Sequence, residues 1–177
     1  MGKGEFGMKK VIEFYLSGDR VYSTREKAIN QLYNNRGYGE LKGNKLFLSL
    51  IEAAYLVERG WIKVLDEDRE LTFEEIFKLG KRKDEDFDIK YLVYKDLRDR
   101  GYIVKSALKF GSHFRVYRKN AEHSDWLIWV LRESEKLSPN DMTARVRVAH
   151  GVRKNMVMAI VDEDNDVVYY KIEWIKF

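Results

Sequence analysis

Three side chains in the second half of the chain have types suited to cutting a phosphodiester. Tyr117 ends the stretch FRVY, His123 follows in RKNAEHSD, and Lys154 comes after AHGVR. RNA supplies its own nucleophile, the ribose 2′-hydroxyl, so cleavage needs a base, an acid for the departing 5′-oxygen and a cation beside the phosphate. Histidine is the natural acid near neutral pH. Tyrosine needs nearby positive charge to act as the base, which Lys154 with Arg115 or Arg118 could supply.

Each of these residues also has a purely structural interpretation. Tyr117 could be an aromatic residue at a strand end that packs on the core, and His123 could be an ordinary surface histidine in a basic hairpin loop. Spacing alone leaves both interpretations open.

The composition is that of a globular protein, and its modest basic balance favours a polyanionic partner. Charged residues make up 35% of the 177 residues and hydrophobic ones 45%, and the net charge is +4. The absence of cysteine excludes disulfides, thiolate metal sites and a cysteine nucleophile. Basic residues concentrate in 105–119 and 145–154, whereas acidic ones concentrate in 64–75, 84–88 and 162–166. This asymmetry predicts an anion-binding face in the second half, with a solvated charged surface as the alternative.

Targeting signals are not evident in the sequence. The N-terminal stretch MGKGEFGMKK lacks the apolar segment of a secretory leader, and no stretch nears the roughly 20 apolar residues of a membrane span. We therefore predict an intracellular, cytoplasmic protein with no membrane partner.

The apolar patterns predict two domains, 1–84 and 85–177, that meet in the charged stretch KRKDEDFD. In the first, KVIEFYLSGDRVYS predicts two strands around a turn, and a short helix is followed by a glycine-rich passage. LSLIEAAYLVERG predicts a helix that Gly60 ends before a further strand, and Thr72 is placed to begin another helix. This half is predicted to be an α+β domain.

The second half is predicted to form a mixed sheet with helices packed on it. A helix over DIKYLVYKDLRDRG precedes the strands YIVKSAL and HFRVYR, and DWLIWVLR is apolar on both faces, which predicts a central strand. Ser138 and Pro139 have the types that begin a helix. The strands NMVMAIVD and VVYYKIEWI follow around an acidic turn. The predicted fold class is therefore α/β, with an α+β N-terminal domain before a C-terminal α/β mixed-sheet domain.

Several stretches resemble the archaeal tRNA-splicing endonucleases, over nearly the whole chain. They are YLVYKDLRDRGYIVKSALKFGSHFRVY, AEHSDW, RVRVAHGVRKNMVMAIVD and LFLSLIEAAYLVERG. The resemblance implies cleavage of precursor tRNA at bulge-helix-bulge intron junctions by metal-independent transesterification, without a cofactor. The products would be a 2′,3′-cyclic phosphate and a 5′-hydroxyl.

The resemblance also implies roles for individual residues. Tyr117 matches the family's general base, His123 its general acid and Lys154 the lysine that stabilises the transition state. Arg147 and Trp174 match the pair that holds a flipped bulge base. For Trp174, a core position in the last strand remains the alternative.

Chains of this length resemble the short type that assembles as a homotetramer, a dimer of dimers. In that type an acidic loop enters a basic cleft of another subunit, and Asp162, Asp164 and Asp166 match this loop. These carboxylates have no evident local partner in the sequence, although a solvated turn is the alternative. The strand VVYYKIEWI is apolar enough to join a partner's sheet within each dimer.

Two other functions stay open. The chain could be a scaffold subunit that binds structured RNA without cutting it, or it could be a metal-dependent nuclease of similar architecture.

Overall fold

A computed structural model of the chain describes residues 10–177. The described chain divides into two compact units, and the second begins at Ile89. Residues 1–9 lie outside the described part. They include most of the N-terminal stretch that was predicted to contain no leader, and the start of the predicted domain 1–84. Within residues 10–177, no helix combines the length and the apolar character needed to cross a bilayer.

The first unit contains a sheet whose strand order among the described residues is β3-β4-β2-β1-β5-β6. Its strands are β1 (Ile12–Ser17), β2 (Arg20–Ser23), β3 (Glu40–Lys42), β4 (Lys45–Ser49), β5 (Ile62–Asp66) and β6 (Arg69–Leu71). Its helices are α1 (Glu26–Ala28), which continues as a π-helical turn over Ile29–Asn34, α2 (Leu50–Glu58) and α3 (Phe73–Lys83).

Local side-chain chemistry sets the helix ends in this unit. Ser49 caps α2 with a reciprocal pair of hydrogen bonds to Glu52, and Gly60 beyond its end takes the left-handed conformation at φ +75°. Thr72 accepts a hydrogen bond from the Glu75 backbone amide at 3.1 Å and begins α3, as predicted.

Three short strands of this unit were not predicted. The glycine-rich passage contains β3 and β4, which are joined by a turn at Gly43 with φ +60°, and β6 pairs with β5. Each of β3 and β6 has only three residues. A strand this short is stabilised by pairing with a neighbour, so it shows little periodicity of its own.

The second unit contains a sheet with the order β11-β10-β9-β8-β7. Strands β9 and β10 run parallel and the other neighbours antiparallel, which confirms the mixed sheet and the α/β class. Strand β9 lies at the centre with its five middle residues buried, as predicted. The elements are α4 (Phe87–Asp99), β7 (Ile103–Ser106), β8 (Phe114–Tyr117), β9 (Trp126–Arg132), α5 (Pro139–Gly151), β10 (Asn155–Val161) and β11 (Val167–Ile172).

Helix α5 covers one face of this sheet. It begins at Ser138, whose side chain accepts from the Asp141 amide at 3.1 Å. Its buried Ala149 joins a core cluster with Leu127 and Met156 of the sheet. On the other side of the unit, the Tyr169 hydroxyl of β11 donates to an Asp96 carboxylate oxygen of α4 at 2.6 Å, and burial together with this carboxylate raises the pKa of Tyr169. The sheet is thus packed against α5 on one face and bonded to α4 through Tyr169 on the other.

Candidate active site

The sheet topology of the second unit brings the end of β8 and the starts of β9 and β10 to the same edge of the sheet, where the strands end. Tyr117 is the last residue of β8, which runs antiparallel to β9, so it lies at the edge where β9 begins. Strand β10 starts at the same edge because Asn155 is the register partner of Trp126. His123 lies in the connection into β9, and Lys154 directly precedes β10. The three residues predicted to do chemistry therefore come from one edge of the sheet.

The end of α5 determines where Lys154 lies. Arg153 is left-handed at φ +57°; its amide donates to the His150 carbonyl at 3.1 Å, and the Lys154 amide donates to the Ala149 carbonyl at 2.9 Å. This pair of bonds is the Schellman arrangement that reverses the chain at a helix end. The Lys154 ammonium then donates to the Ser124 carbonyl at 2.9 Å. The side chain of Lys154 is thus held against the residue next to His123.

The loop that carries His123 is fixed at its end. The Asp125 amide donates to the Val116 carbonyl at 3.0 Å, and the Asp125 carbonyl accepts from the amide of Asn155 at 2.9 Å. Arg118 forms an ion pair with the Asp125 carboxylate at 3.1 Å. His123 itself is exposed. A fixed loop with an exposed imidazole suits a group that must reach a bound substrate.

Arg115, rather than Arg118, is the arginine that contacts Tyr117. The Arg115 guanidinium lies 5.7 Å from the centre of the Tyr117 ring. Arg118 instead packs over Trp126 at 5.3 Å while it pairs with Asp125. Tyr117 is half-buried.

The other two histidines have different surroundings. His113 accepts a hydrogen bond from the Val130 amide at 2.9 Å through its Nδ1, so it stabilises the β8–β9 region. His150, near the end of α5, is exposed and meets Trp174 edge to face, with 4.8 Å between ring centres. His123 therefore differs from the other two histidines: its ring is exposed, whereas His113 is hydrogen-bonded to the backbone and His150 contacts an aromatic ring.

Arg147 and Trp174 lie at the same end of α5. Arg147 is exposed and precedes His150 by three residues, which places both on one side of the helix. Trp174 follows the end of β11 and is 60% exposed. The alternative that Trp174 is a core residue of the last strand is therefore wrong.

The three aspartates of the acidic turn between β10 and β11 differ in their hydrogen bonds and exposure. The Asp162 carboxylate accepts from the backbone amides of Asp164 and Asp166, both at 2.9 Å. The expectation that these carboxylates lack a local partner is therefore wrong for Asp162, which shapes the turn. Asp164 and Asp166 are exposed.

The site combines an exposed imidazole, a tyrosine and an ammonium group, which together supply two proton-transfer groups and a positive charge. Within residues 10–177, no cluster of three or more histidine or acidic side chains is arranged to hold a metal ion.

Comparison with known proteins covers both units. A family model described as the catalytic C-terminal domain of tRNA intron endonuclease matches residues 87–169, and one described as its N-terminal domain matches residues 12–77. A tRNA-splicing endonuclease of Pyrococcus horikoshii is 85% identical over 170 residues, which span 96% of this chain and 100% of the relative. That of Pyrococcus furiosus is 82% identical over the same shares. A more distant one, from Methanothermobacter thermautotrophicus, is 42% identical over 90% of this chain and 95% of its own.

Proposed function

The chain belongs to the tRNA intron endonuclease family, and on that basis we propose that it cuts precursor tRNA at bulge-helix-bulge intron junctions without a metal ion. One contact carries this proposal: the Lys154 ammonium is bonded to the loop of His123, at the edge where Tyr117 ends β8. This arrangement supports a site in which a base, an acid and a cation from three different elements act together.

In the proposed reaction the 2′-oxygen attacks the adjacent phosphorus. Tyr117 takes the proton of the 2′-hydroxyl, and His123 donates a proton to the 5′-oxygen as its bond to phosphorus breaks. Lys154 stabilises the extra negative charge on the phosphate oxygens in the transition state. The products are a 2′,3′-cyclic phosphate and a 5′-hydroxyl, so no water is consumed in the step.

One assay separates this function from its two alternatives. The purified protein is incubated in EDTA with a bulge-helix-bulge RNA, and the new ends are identified chemically. We expect cutting that leaves cyclic-phosphate ends. Binding without cutting would instead support a scaffold subunit, and activity that disappears on chelation would support a metal-dependent nuclease.

We also propose that Arg147 and Trp174 hold an unpaired bulge base between a guanidinium and an indole. Both side chains are exposed, and His150 links them because it lies one helical turn from Arg147 and against the Trp174 ring. Planar cations and aromatic rings both stack on bases, and a stacked base contributes about 1–3 kcal/mol to binding.

Truncation of either side chain should therefore weaken binding of bulged RNA. We expect Arg147→Ala and Trp174→Ala each to raise the Kd by about 5- to 150-fold, which corresponds to the stacking energy of one base. A fully paired duplex of equal length should bind the variants as it binds the unmodified protein. Arg100→Ala, which removes an exposed arginine paired with Asp96, is the matched control. Unchanged affinity for bulged RNA in Arg147→Ala would remove Arg147 from the site.

Finally, we propose that the chain assembles as a homotetramer made of two dimers. Strand β11 is an edge strand, and Val168 and Tyr170 on it are 48% and 53% exposed. An apolar edge strand of this kind is suited to pair with a second copy. The exposed carboxylates of Asp164 and Asp166 have the charge to enter a basic surface, formed by 105–119 and 145–154, on a copy in the other dimer.

A further inference from the structure

Arg115 has no role in the proposed reaction, although it lies close to the candidate site. It lies in β8 two residues before Tyr117, so both side chains are on the same face of the sheet. Its register partners are Lys105 on β7 and Leu127 on β9. Because Leu127 belongs to the core cluster under α5, Arg115 points to the helix-covered face rather than to open solvent.

The guanidinium of Arg115 is incompletely satisfied by the protein. Among residues 10–177, its Nε is buried and has no hydrogen-bond acceptor. Nearby arginines differ: Arg118 pairs with the Asp125 carboxylate, and Arg145 donates to the Gly111 carbonyl while it covers Trp129 at 3.9 Å. A buried donor without an acceptor destabilises a fold, and a cationic one does so more strongly. A ligand that supplies the acceptor would account for the arrangement.

The chemistry of that ligand follows from the donor and its position. The Nε and one Nη of a guanidinium form two parallel donors that match two oxygens of a phosphate. The Arg115 guanidinium already lies 5.7 Å from the Tyr117 ring. The Lys154 ammonium, by contrast, is a point charge, and one of its hydrogen bonds is already made to the Ser124 carbonyl.

We propose that Arg115 binds the non-bridging oxygens of the phosphodiester that is cut, as a second cation beside Lys154. This inference rests on the proposed function, since it assigns a further substrate contact to the same site. Two parallel donors would orient the phosphorus for attack, and their hydrogen bonds would strengthen as charge builds on those oxygens.

Arg115→Met separates this role from a structural one. Methionine keeps much of the apolar length of the side chain and removes the unsatisfied charge, so the Tm should stay the same or rise. The single-turnover rate should fall by about 10²- to 10³-fold, the loss typical of one transition-state donor. Arg115→Lys retains a charge without the paired donors and should lose rate more than affinity. A structural arginine would instead give a lower Tm with a near-normal rate in the folded fraction, and that result would overturn the proposal.

Sulfur substitution at the cleaved phosphate tests the contact directly. We expect replacement of one non-bridging oxygen by sulfur to slow the unmodified protein, and the same replacement to have little further effect in Arg115→Met. Arg100→Gln, which removes an exposed arginine elsewhere in the unit, should behave as the unmodified protein does. Equal sensitivity to sulfur in Arg115→Met would overturn the contact. If the unmodified protein does not cut bulged RNA in EDTA, the proposed function itself fails.

Discussion

His123→Ala is expected to lower the single-turnover rate of RNA cleavage by about 10²- to 10⁴-fold while the affinity for RNA stays nearly constant. A general acid acts when the bond to the 5′-oxygen breaks, so its loss raises the transition state and not the bound ground state. The exposed position of His123, beside the Ser124 carbonyl that holds Lys154, places little of its side chain in the packed core. The rate is measured with excess protein and a bulge-helix-bulge RNA.

A modified substrate tests whether His123 protonates the departing 5′-oxygen. An RNA with sulfur in place of the 5′-oxygen at the junction has a leaving group that needs no proton, and we expect His123→Ala to cut it nearly as fast as the unmodified protein does. Glu122→Ala, which alters the neighbouring exposed loop residue, should cut both substrates normally. Tyr117→Phe should lose less than His123→Ala on the natural substrate if solvent can serve as base. Near-normal cleavage of natural RNA by His123→Ala would show that His123 is not the acid.

If the chain forms the proposed tetramer, the double variant Asp164→Ser with Asp166→Ser is expected to sediment as dimers in analytical ultracentrifugation and to cleave more slowly. These two carboxylates are exposed, so serine removes charge without removing a packed contact. Asp162 is left in place because its carboxylate accepts two backbone hydrogen bonds within the turn. The turn therefore keeps its shape, and the result reports charge alone.

A second acidic hairpin provides the matched control. Asp66→Ser with Asp68→Ser removes two exposed carboxylates from the β5–β6 hairpin of the first unit and should leave the proposed tetramer intact. Raising the salt concentration should mimic the Asp164 and Asp166 variant, since an ionic contact is screened. If that variant sediments like the unmodified protein at low salt, Asp164 and Asp166 are not part of an interface between subunits.

Much of the second unit could be predicted from the sequence because its elements are determined by local patterns. Ser138 and Pro139 begin a helix through their own backbone chemistry, and the apolar residues on both sides of β9 require burial on both faces. The three-residue strands β3 and β6 escaped prediction because each is stabilised by a neighbour and shows little pattern of its own. Strand β4 alternates buried residues with more exposed ones over only five positions, and it lies at the end of the glycine-rich passage.

For the candidate site, residue types and spacing left the roles of Tyr117, His123 and Lys154 open. The family resemblance singled out these three residues, and only the tertiary structure decided which groups meet. The bond from Lys154 to Ser124 joins residues that are separated by a strand and a helix, so it exists only once β9 and β10 lie parallel in register. The pairing of Arg115 with Tyr117 is local, because the two residues lie two positions apart on β8 and share one face. No local pattern predicts the bond from Lys154 to Ser124, because it depends on the alignment of strands distant in the chain.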